Sequence, residues 1–145
     1  SDNSARLWNV TTGKQKQKLE PEKADSPVVV VRYSSDGETL ATSGDTIHFW
    51  DPANGNEKQV LPANELFGTR SIAFSPDGHL AASTSIDLTD YKRGKITLWD
   101  LKAAQKLTEV ADADGLVYDV AFSPDSKILA SGGGETVKLW TIVRD

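Results

Sequence analysis

The chain repeats one short pattern three times, and this repetition constrains its fold more than any other feature. In the last copy, residues 117–140 read VYDVAFSPDSKILASGGGETVKLW. This stretch has three short β-prone runs, separated by the turns Ser123-Pro124-Asp125-Ser126 and Gly132-Gly133-Gly134. The same order of runs and turns occurs twice upstream, in residues 31–51 and 70–100. A repeat of this kind predicts a fold built from similar, stacked units.

Two residue types give the length of the repeat. The tryptophans are separated by 42, 49 and 41 residues, and the turn aspartates by 41 and 48. Both series indicate a unit of about 41 residues, with an insertion of about seven in the middle unit. The residues that define the two series are Trp8, Trp50, Trp99 and Trp140, and Asp36, Asp77 and Asp125.

Four short strands in a unit of about 40–45 residues, with Trp-Asp closing the third strand, are typical of β-propeller blades. The chain resembles the WD-repeat (WD40) family in its Ser-Pro-Asp-Gly-like turns, its Leu-Ala-Ser-like segments and its strand endings. These endings are Leu7-Trp8-Asn9, Phe49-Trp50-Asp51 and Leu98-Trp99-Asp100. The resemblance covers nearly the whole chain. It implies an all-β fold, a partial propeller ring of four-stranded antiparallel blades.

The repeat divides the chain into four parts, which we expect to contribute two, four, four and three strands. Residues 1–20 are predicted to end one blade, and 28–62 to form a complete one. Residues 69–110 form the next blade, with the insertion at 85–95, and 117–145 a final three-stranded blade. In the WD40 family, a segment near the N-terminus usually supplies the missing fourth strand. The resemblance therefore implies that the C-terminus is natural and that the rest of the ring lies upstream.

Three local expectations follow from this register. Residues 28–31 are an apolar run, which predicts an innermost strand covered on both faces by neighbouring blades. Residues 101–108 have helical propensity, but the repeat predicts a turn near Ala103-Ala104 and an outer strand from Lys106. Lysines at positions 14, 16 and 18 are typical of an outermost strand, where charge blocks edge-to-edge pairing. A basic ligand-binding stripe is the alternative.

Composition argues against several kinds of site. The chain has no cysteine, and its two histidines, His48 and His79, are not at ligand spacing, so we expect His48 to lie on a strand face. The stretch Asp112-Ala113-Asp114-Gly115 lacks the further ligands of a calcium loop. No nucleophile, phosphate-loop or zinc motif is present. We expect no metal, no cofactor and no catalysis.

Charge and hydropathy bear on location and partners. The net charge is −5, with 16 basic and 21 acidic residues, which opposes nonspecific binding to nucleic acid or anionic membranes. No apolar run approaches the ~18 residues of a membrane span. We expect a soluble, cytoplasmic protein.

The chain departs from the WD40 pattern in its buried polar groups. Units of that family often carry a histidine before the first strand, linked through Ser or Thr to an aspartate in the second turn. No unit here has that histidine, and two of the second turns, at Gly44-Asp45 and Gly133-Gly134-Glu135, are short. We therefore expect the blades to lack a buried hydrogen-bond network. Apolar packing should replace it, through Tyr33, Phe74, Phe122 and the tryptophans.

Three hypotheses of function follow. The first is a non-catalytic scaffold for protein–protein interaction, forming half of a larger ring, and the Trp-Asp endings favour it. The second is a ligand-binding or enzymatic bacterial propeller, which should place convergent polar residues near the central channel. Only Arg32, Arg70 and Asp119 fall on first strands. The third is an engineered or proteolytic fragment whose only activity is assembly.

The partner-binding surface is expected on the rim where the second-to-third turns and the connections between blades emerge, with the insertion projecting from it. The rim is predicted to hold ten acidic and three basic side chains, which would steer a basic partner. These are Glu20, Glu22, Asp25, Asp45, Glu65, Asp87, Asp90, Asp112, Asp114 and Glu135, with Lys23, Lys92 and Arg93. Aromatic and arginine side chains carry most hot-spot energy. The predicted contact residues are Tyr91, Lys92, Arg93, Phe67, Arg70, Tyr118, Asp112 and Asp114.

An open arc of blades predicts association. It would expose an apolar blade face at each end and leave residues 137–140 on an unpaired strand edge. A separate N-terminal portion of the ring, or a second copy of the chain, would cover these surfaces. Two copies of 13 strands come close to the ~28 strands of a seven-bladed ring. Each joint between the copies would, however, contain two strands of the third position and only one strand of the fourth position. A separate N-terminal portion is therefore favoured.

Overall fold

A computed structural model describes residues 2–21, 27–61, 67–89, 91–112 and 115–143, with only the backbone described for Phe67 and Asp112. These residues form thirteen β-strands in four antiparallel sheets and no helix. None of the described segments is thus a helix that could cross a membrane. The predicted all-β fold of antiparallel blades is confirmed.

Within each sheet, strands adjacent in sequence are hydrogen-bonded neighbours. We call the first sheet the half-blade and the others blades 1, 2 and 3. The half-blade pairs β1 (Ala5–Asn9) with β2 (Lys14–Leu19), and blade 1 contains β3 (Val30–Tyr33), β4 (Leu40–Ser43), β5 (Ile47–Trp50) and β6 (Glu57–Leu61). Blade 2 contains β7 (Phe67–Phe74), β8 (Leu80–Asp87), β9 (Gly94–Asp100) and β10 (Gln105–Asp112). Blade 3 contains β11 (Asp119–Phe122), β12 (Ile128–Gly133) and β13 (Thr136–Thr141).

The turn between the first and second strands has the same hydrogen bonds in every blade. In blade 2, Ser75 Oγ donates to Asp77 Oδ1 at 2.6 Å and accepts from the Leu80 amide at 2.9 Å. The same carboxylate oxygen accepts from the His79 amide at 3.1 Å. Ser34 with Asp36 and Ser123 with Asp125 repeat the first contact at 2.6 Å. The three aspartates are therefore equivalent, as their spacing predicts.

The tryptophans also share one position. Opposite Trp8, Trp50 and Trp99, the fourth strand carries one extra residue, a β-bulge. The indole nitrogen in each blade donates to a hydroxyl on the second strand: Trp50 to Thr42 at 2.8 Å, Trp99 to Ser83 and Trp140 to Ser131 at 2.9 Å. The predicted third-strand equivalence of the four tryptophans is confirmed.

Three apolar clusters join neighbouring sheets and show how each blade face is used. Trp50 packs with Ala5 and Leu19 of the half-blade, so the tryptophan side of a blade faces its predecessor. Ile47 and Phe49, three and one residues before that tryptophan, pack with blade 2. In the same way, blade 2 turns Trp99 towards blade 1 and Ile96 and Leu98 towards blade 3.

The first strands β3, β7 and β11 contact one another in succession, as innermost blade strands do. The expectation that residues 28–31 are covered on both faces is wrong. Val30 is buried, but Val31 and Tyr33 are 43% and 54% exposed. Tyr33 pairs with Leu40, which faces the half-blade. The half-blade has no first or second strand in the described residues that could cover this side of β3.

The insertion, predicted at 85–95 between the second and third strands, is mostly strand. Strand β8 continues to Asp87 and β9 begins at Gly94, so only residues 88–93 connect them. The flanking strands β7 and β10 lengthen in step, because Phe67 pairs with Asp87 and Asp112 with Gly94. Blade 2 therefore has strands of seven or eight residues, whereas the first three of blade 1 have four each.

The helical propensity of residues 101–108 does not decide their structure. Residues 101–104 form a turn and β10 begins at Gln105, one residue before the predicted start. Pairing with β9 along its whole length overrides the local preference, as the repeat predicts.

Candidate interaction surface

The β8–β9 hairpin of blade 2 ends in a tip, described at residues 87–89 and 91–93, that is organised around Asp87. This carboxyl side chain is buried, and its Oδ1 accepts hydrogen bonds from the Thr89 amide at 2.8 Å and the Thr89 hydroxyl at 2.5 Å. Its Oδ2 accepts from Arg93 Nη2 at 3.0 Å. Two backbone bonds close the loop, from the Asp87 amide to Arg93 O and from the Tyr91 amide to Asp87 O, both at 2.9 Å. These bonds tie Thr89, Tyr91 and Arg93 to Asp87.

The tip displays an aromatic ring and two cations. Tyr91 is 57% exposed and has a φ of 54°, a left-handed backbone conformation that is uncommon for a bulky residue. Lys92 is exposed, and the Arg93 side chain is 69% exposed although it pairs with Asp87. Leu88 packs over Gly68, so close that a Cβ at position 68 would lie 3.1 Å from its methyl group. This contact fixes the tip against β7.

The other predicted contact residues fall in two places. The backbone of Phe67 and Asp112 lies beside the tip, through their pairing with Asp87 and Gly94. Arg70 is exposed at a β-bulge in β7, and Tyr118 is 52% exposed just before β11. Both therefore sit by the innermost strands. Asp114 lies outside the described residues.

The predicted acidic rim needs a correction at Asp87. Its carboxylate is buried and ion-paired with Arg93, so the two charges offset each other instead of adding to the field of the rim. Two other predicted members of the acidic rim, Glu20 and Glu135, are in the described part of the chain and have exposed side chains. The predictions for Glu22, Lys23, Asp25, Glu65, Asp90 and Asp114 concern residues outside it.

Three polar residues considered for a catalytic or metal site, Asp119, Arg32 and His48, have structural partners. Asp119 Oδ1 accepts from the Val120 amide at 3.0 Å and, in a short contact, from the Ser71 hydroxyl, which joins blades 2 and 3. Arg32 donates to the Val31 carbonyl at 3.0 Å. His48 lies 2.6 Å from Glu57 Oε1 and stacks on Trp50. Among the described residues, no three His, Cys, Asp or Glu side chains are grouped to hold a metal ion.

Sequence reasoning missed the hydroxyls that bind the tryptophans. Thr42, Ser83 and Ser131 each follow the turn aspartate of their own repeat by six residues, and this constant spacing was the available signal. The blades thus keep one part of a buried polar network, which corrects the expectation that they lack it.

Hydrogen bonds in the turns lower two carboxyl pKa values. The Ser34 hydroxyl, then the Glu38 amide, hold the pKa of Asp36 below its ordinary value. The Ser123 hydroxyl and the Lys127 amide do the same to the pKa of Asp125. On the outer strands, the bond from Lys95 lowers the pKa of Glu109. The ionised turn aspartates are therefore part of the folded state.

Two blade faces have no blade against them in the described residues. Val137 and Leu139 of β13 are 74% and 70% exposed, whereas Ile47 and Phe49, at the same positions of blade 1, are 1% and 2% exposed. At the other end of the arc, Trp8 is 56% exposed and Trp50 only 3%. These surfaces carry the same kinds of apolar residue as the interfaces between blades, but no neighbouring blade covers them in the described residues.

A cleft of about 180 Å³ lies beside the open edge of β13. Val110 of β10 is in its wall, at the position where the half-blade and blade 1 place the fully buried Leu19 and Leu61. Trp140 and Ile142 form the facing wall. The cleft lies where the end of β10 meets blade 3, which has no fourth strand among the described residues.

Comparison with known proteins agrees with this geometry. The sequence model described as WD domain, G-beta repeat matches residues 55–100 and 105–141. The chain is 23% identical over its whole length to the transcriptional corepressor LEUNIG_HOMOLOG of Arabidopsis thaliana, of which it spans 17%. It is 32% identical over 98% of its length to rat apoptotic protease-activating factor 1, of which it spans 11%. Mouse WD repeat and SOCS box-containing protein 1 is 34% identical over 77% of the chain, which spans 26% of that protein.

Proposed function

The chain belongs to the WD40-repeat family, and we propose that it is a non-catalytic scaffold that binds a protein partner through the tip of blade 2. WD40 domains generally bind proteins and are generally not enzymes. The observation that carries the proposal is the hydrogen-bonded tip, which projects an exposed Tyr91 from the longest strands of the fold.

The tip is suited to anchor a partner because little conformational entropy is lost when it binds. Asp87 already fixes the loop, and a rigid tyrosine offers a large contact area with few rotatable bonds. Lys92 and Arg93 follow Tyr91 directly in the same loop. The proposed surface extends from these residues to Phe67, Arg70, Asp112, Asp114 and Tyr118.

The proposed partner is basic. The net charge of −5 on the whole chain favours the approach of a cationic surface and makes the association rate depend on salt, whereas Lys92 and Arg93 oppose it locally at the tip. Tyr91 can stack on an arginine or lysine of such a partner.

We further propose that the chain forms part of a larger ring. The exposed Trp8 at one end of the arc and the exposed Val137 and Leu139 at the other support this, because internal blades bury the equivalent side chains. A separate N-terminal propeller portion is favoured over a second copy, since two copies would bring two third strands to each joint.

Partner capture with matched variants tests the binding surface. Proteins crosslinked to the wild type, to Tyr91→Ala and to Lys14→Ala should be compared by quantitative mass spectrometry. Lys14 is exposed on the outer strand β2, away from the tip. Tyr91→Ala should lose a partner that the wild type and Lys14→Ala both retain, with a cost of about 2 kcal/mol in binding. Equal recovery by all three chains would contradict the proposal.

A further inference from the structure

The β5–β6 turn of blade 1 contains the one Asn-Gly dipeptide of the chain, Asn54-Gly55. Glycine has no Cβ, so its amide nitrogen can approach the side chain of the preceding asparagine with little steric hindrance. Asn54 is exposed to the water that a hydrolysis needs. The dipeptide is therefore chemically disposed to deamidation.

In the folded turn, all three reacting groups are engaged in hydrogen bonds. The Gly55 amide donates to the Asp51 carbonyl at 2.8 Å, and Asn54 Nδ2 donates to Asp51 Oδ2 at 3.0 Å. Asn54 Oδ1 accepts from the Asn56 amide at 2.8 Å. Attack of the Gly55 nitrogen on Asn54 Cγ requires the side chain to rotate out of these bonds. Asp51 thus engages both the attacking amide of Gly55 and the leaving amide group of Asn54.

The turn also contacts the half-blade. Gln17 Nε2 donates to the Ala53 carbonyl at 3.3 Å. A Cβ on Gly55 would lie 2.9 Å from Gln17 Oε1 and 3.6 Å from a methyl group of Leu19, so Gly55 fits closely against β2. Opening of the turn and undocking of the half-blade are therefore coupled.

We propose that Asn54 is a site of spontaneous deamidation that the docked half-blade protects. In the reaction, the deprotonated Gly55 nitrogen bonds to Asn54 Cγ, the Cγ–Nδ2 bond breaks, and ammonia leaves. Water then opens the resulting succinimide at either carbonyl, giving aspartate or isoaspartate at position 54. Isoaspartate adds a carbon to the main chain beside Gly55, which displaces the turn from Gln17 and Leu19. Modification then weakens the docking that suppressed it.

Peptide mapping by mass spectrometry tests this coupling. The folded wild type, the wild type unfolded in urea, and the folded variants Asp51→Ala, Leu19→Ala and Val110→Ala should be aged at mildly alkaline pH. Val110→Ala is the matched control, because Val110 occupies the same position as Leu19 but between blades 2 and 3. Circular dichroism verifies that each variant is folded. If Leu19→Ala does not fold, Gln17→Ala replaces it.

We expect Asn54 to deamidate at least about tenfold more slowly in the folded wild type than in urea, because several hydrogen bonds must break first. Asp51→Ala and Leu19→Ala should accelerate the reaction, and Val110→Ala should leave it at the wild-type rate. Equal rates in folded and unfolded wild type would overturn the protection by the turn. Equal rates in Leu19→Ala and Val110→Ala would overturn the role of the half-blade.

Discussion

Single residues decide how closely each blade follows the common pattern, most clearly where the backbone is left-handed. Gly13 and Gly55 occupy one such position after the tryptophan, with φ of 67° and 79°, and blade 2 places Ala104 there with a φ of 57°. Gly37 and Gly78 occupy a second, after the turn aspartate, and blade 3 places Ser126 there with a φ of 60°. A side chain in this conformation costs about 1–2 kcal/mol. The two substitutions differ in what offsets that cost.

The methyl side chain of Ala104 forms no hydrogen bond, whereas the side chain of Ser126 does. Ala104→Gly should therefore raise the free energy of unfolding by about 0.5–1 kcal/mol, by relief of backbone strain. Ser126 is buried, and its hydroxyl accepts a hydrogen bond from the Asp77 amide of the adjacent blade at 3.2 Å. Ser126→Gly loses that bond and should bring no net gain. Urea denaturation measures both variants, and a larger gain from Ser126→Gly than from Ala104→Gly would refute this assignment.

The hydroxyls that bind the tryptophans should be costly to remove. Ser83→Ala leaves the buried Trp99 indole without its acceptor, which should lower the free energy of unfolding by about 1–3 kcal/mol. Ser85 lies on the same strand, and the described residues show no side-chain hydrogen bond for it, so Ser85→Ala is the matched control. Denaturant titration of the two variants should separate them clearly. Similar losses would mean that the indole finds another partner.

At the scale of elements, the repeated turn links stability to pH. The pKa values of Asp36 and Asp125 are lowered in the folded state, chiefly by bonds from Ser34 and Ser123. A group with a depressed folded pKa contributes stability above its unfolded pKa and loses it as the pH falls towards the folded pKa. The contribution of these turns should therefore begin to decline near the ordinary aspartate pKa of about 4 and be gone once the pH is below the lowered folded values.

The double variant Asp36→Asn and Asp125→Asn tests this link. It should be less stable than the wild type at neutral pH, and the difference should shrink as the pH falls through the aspartate range. Thermal melts at a series of pH values give the comparison. The expected sign is wrong if the difference stays constant or grows on acidification.

Elements also show where the sequence could and could not predict the fold. The spacing of Trp50, Trp99 and Trp140 predicts strand register correctly, because the indole bond and the bulge recur at fixed positions. The same spacing predicts how many residues are inserted in blade 2 but does not predict their secondary structure. Whether they become loop or strand depends on whether β7 and β10, distant in sequence, lengthen to pair with them.

The candidate site was predictable in the same partial way. Residue types identify Tyr91 and Arg93 as candidate contacts, and the register places them between second and third strands. That Asp87 is buried and bonds Thr89 and Arg93 follows only from the folded loop, since an aspartate in a polar segment reads as a surface charge. The exposure of Val31 and Tyr33 likewise depends on which strands lie opposite β3.

For the whole molecule, we propose that the chain is an arc of a propeller whose two end faces are blade interfaces. The internal interfaces bury the residues one and three before the tryptophan, and the end of the arc exposes their equivalents, Val137 and Leu139. Exposed apolar faces of this kind drive association.

Sedimentation velocity over a range of protein concentrations tests this claim most directly. The wild type should associate at micromolar concentration, and Leu139→Asp, which places a charge at the centre of the exposed face, should shift the population towards monomer. Val60→Asp, on the outer strand β6 at a half-exposed position, controls for added charge and should associate like the wild type. A wild type that remains a stable monomer, with no other chain bound, would contradict the proposal that the two end faces are blade interfaces.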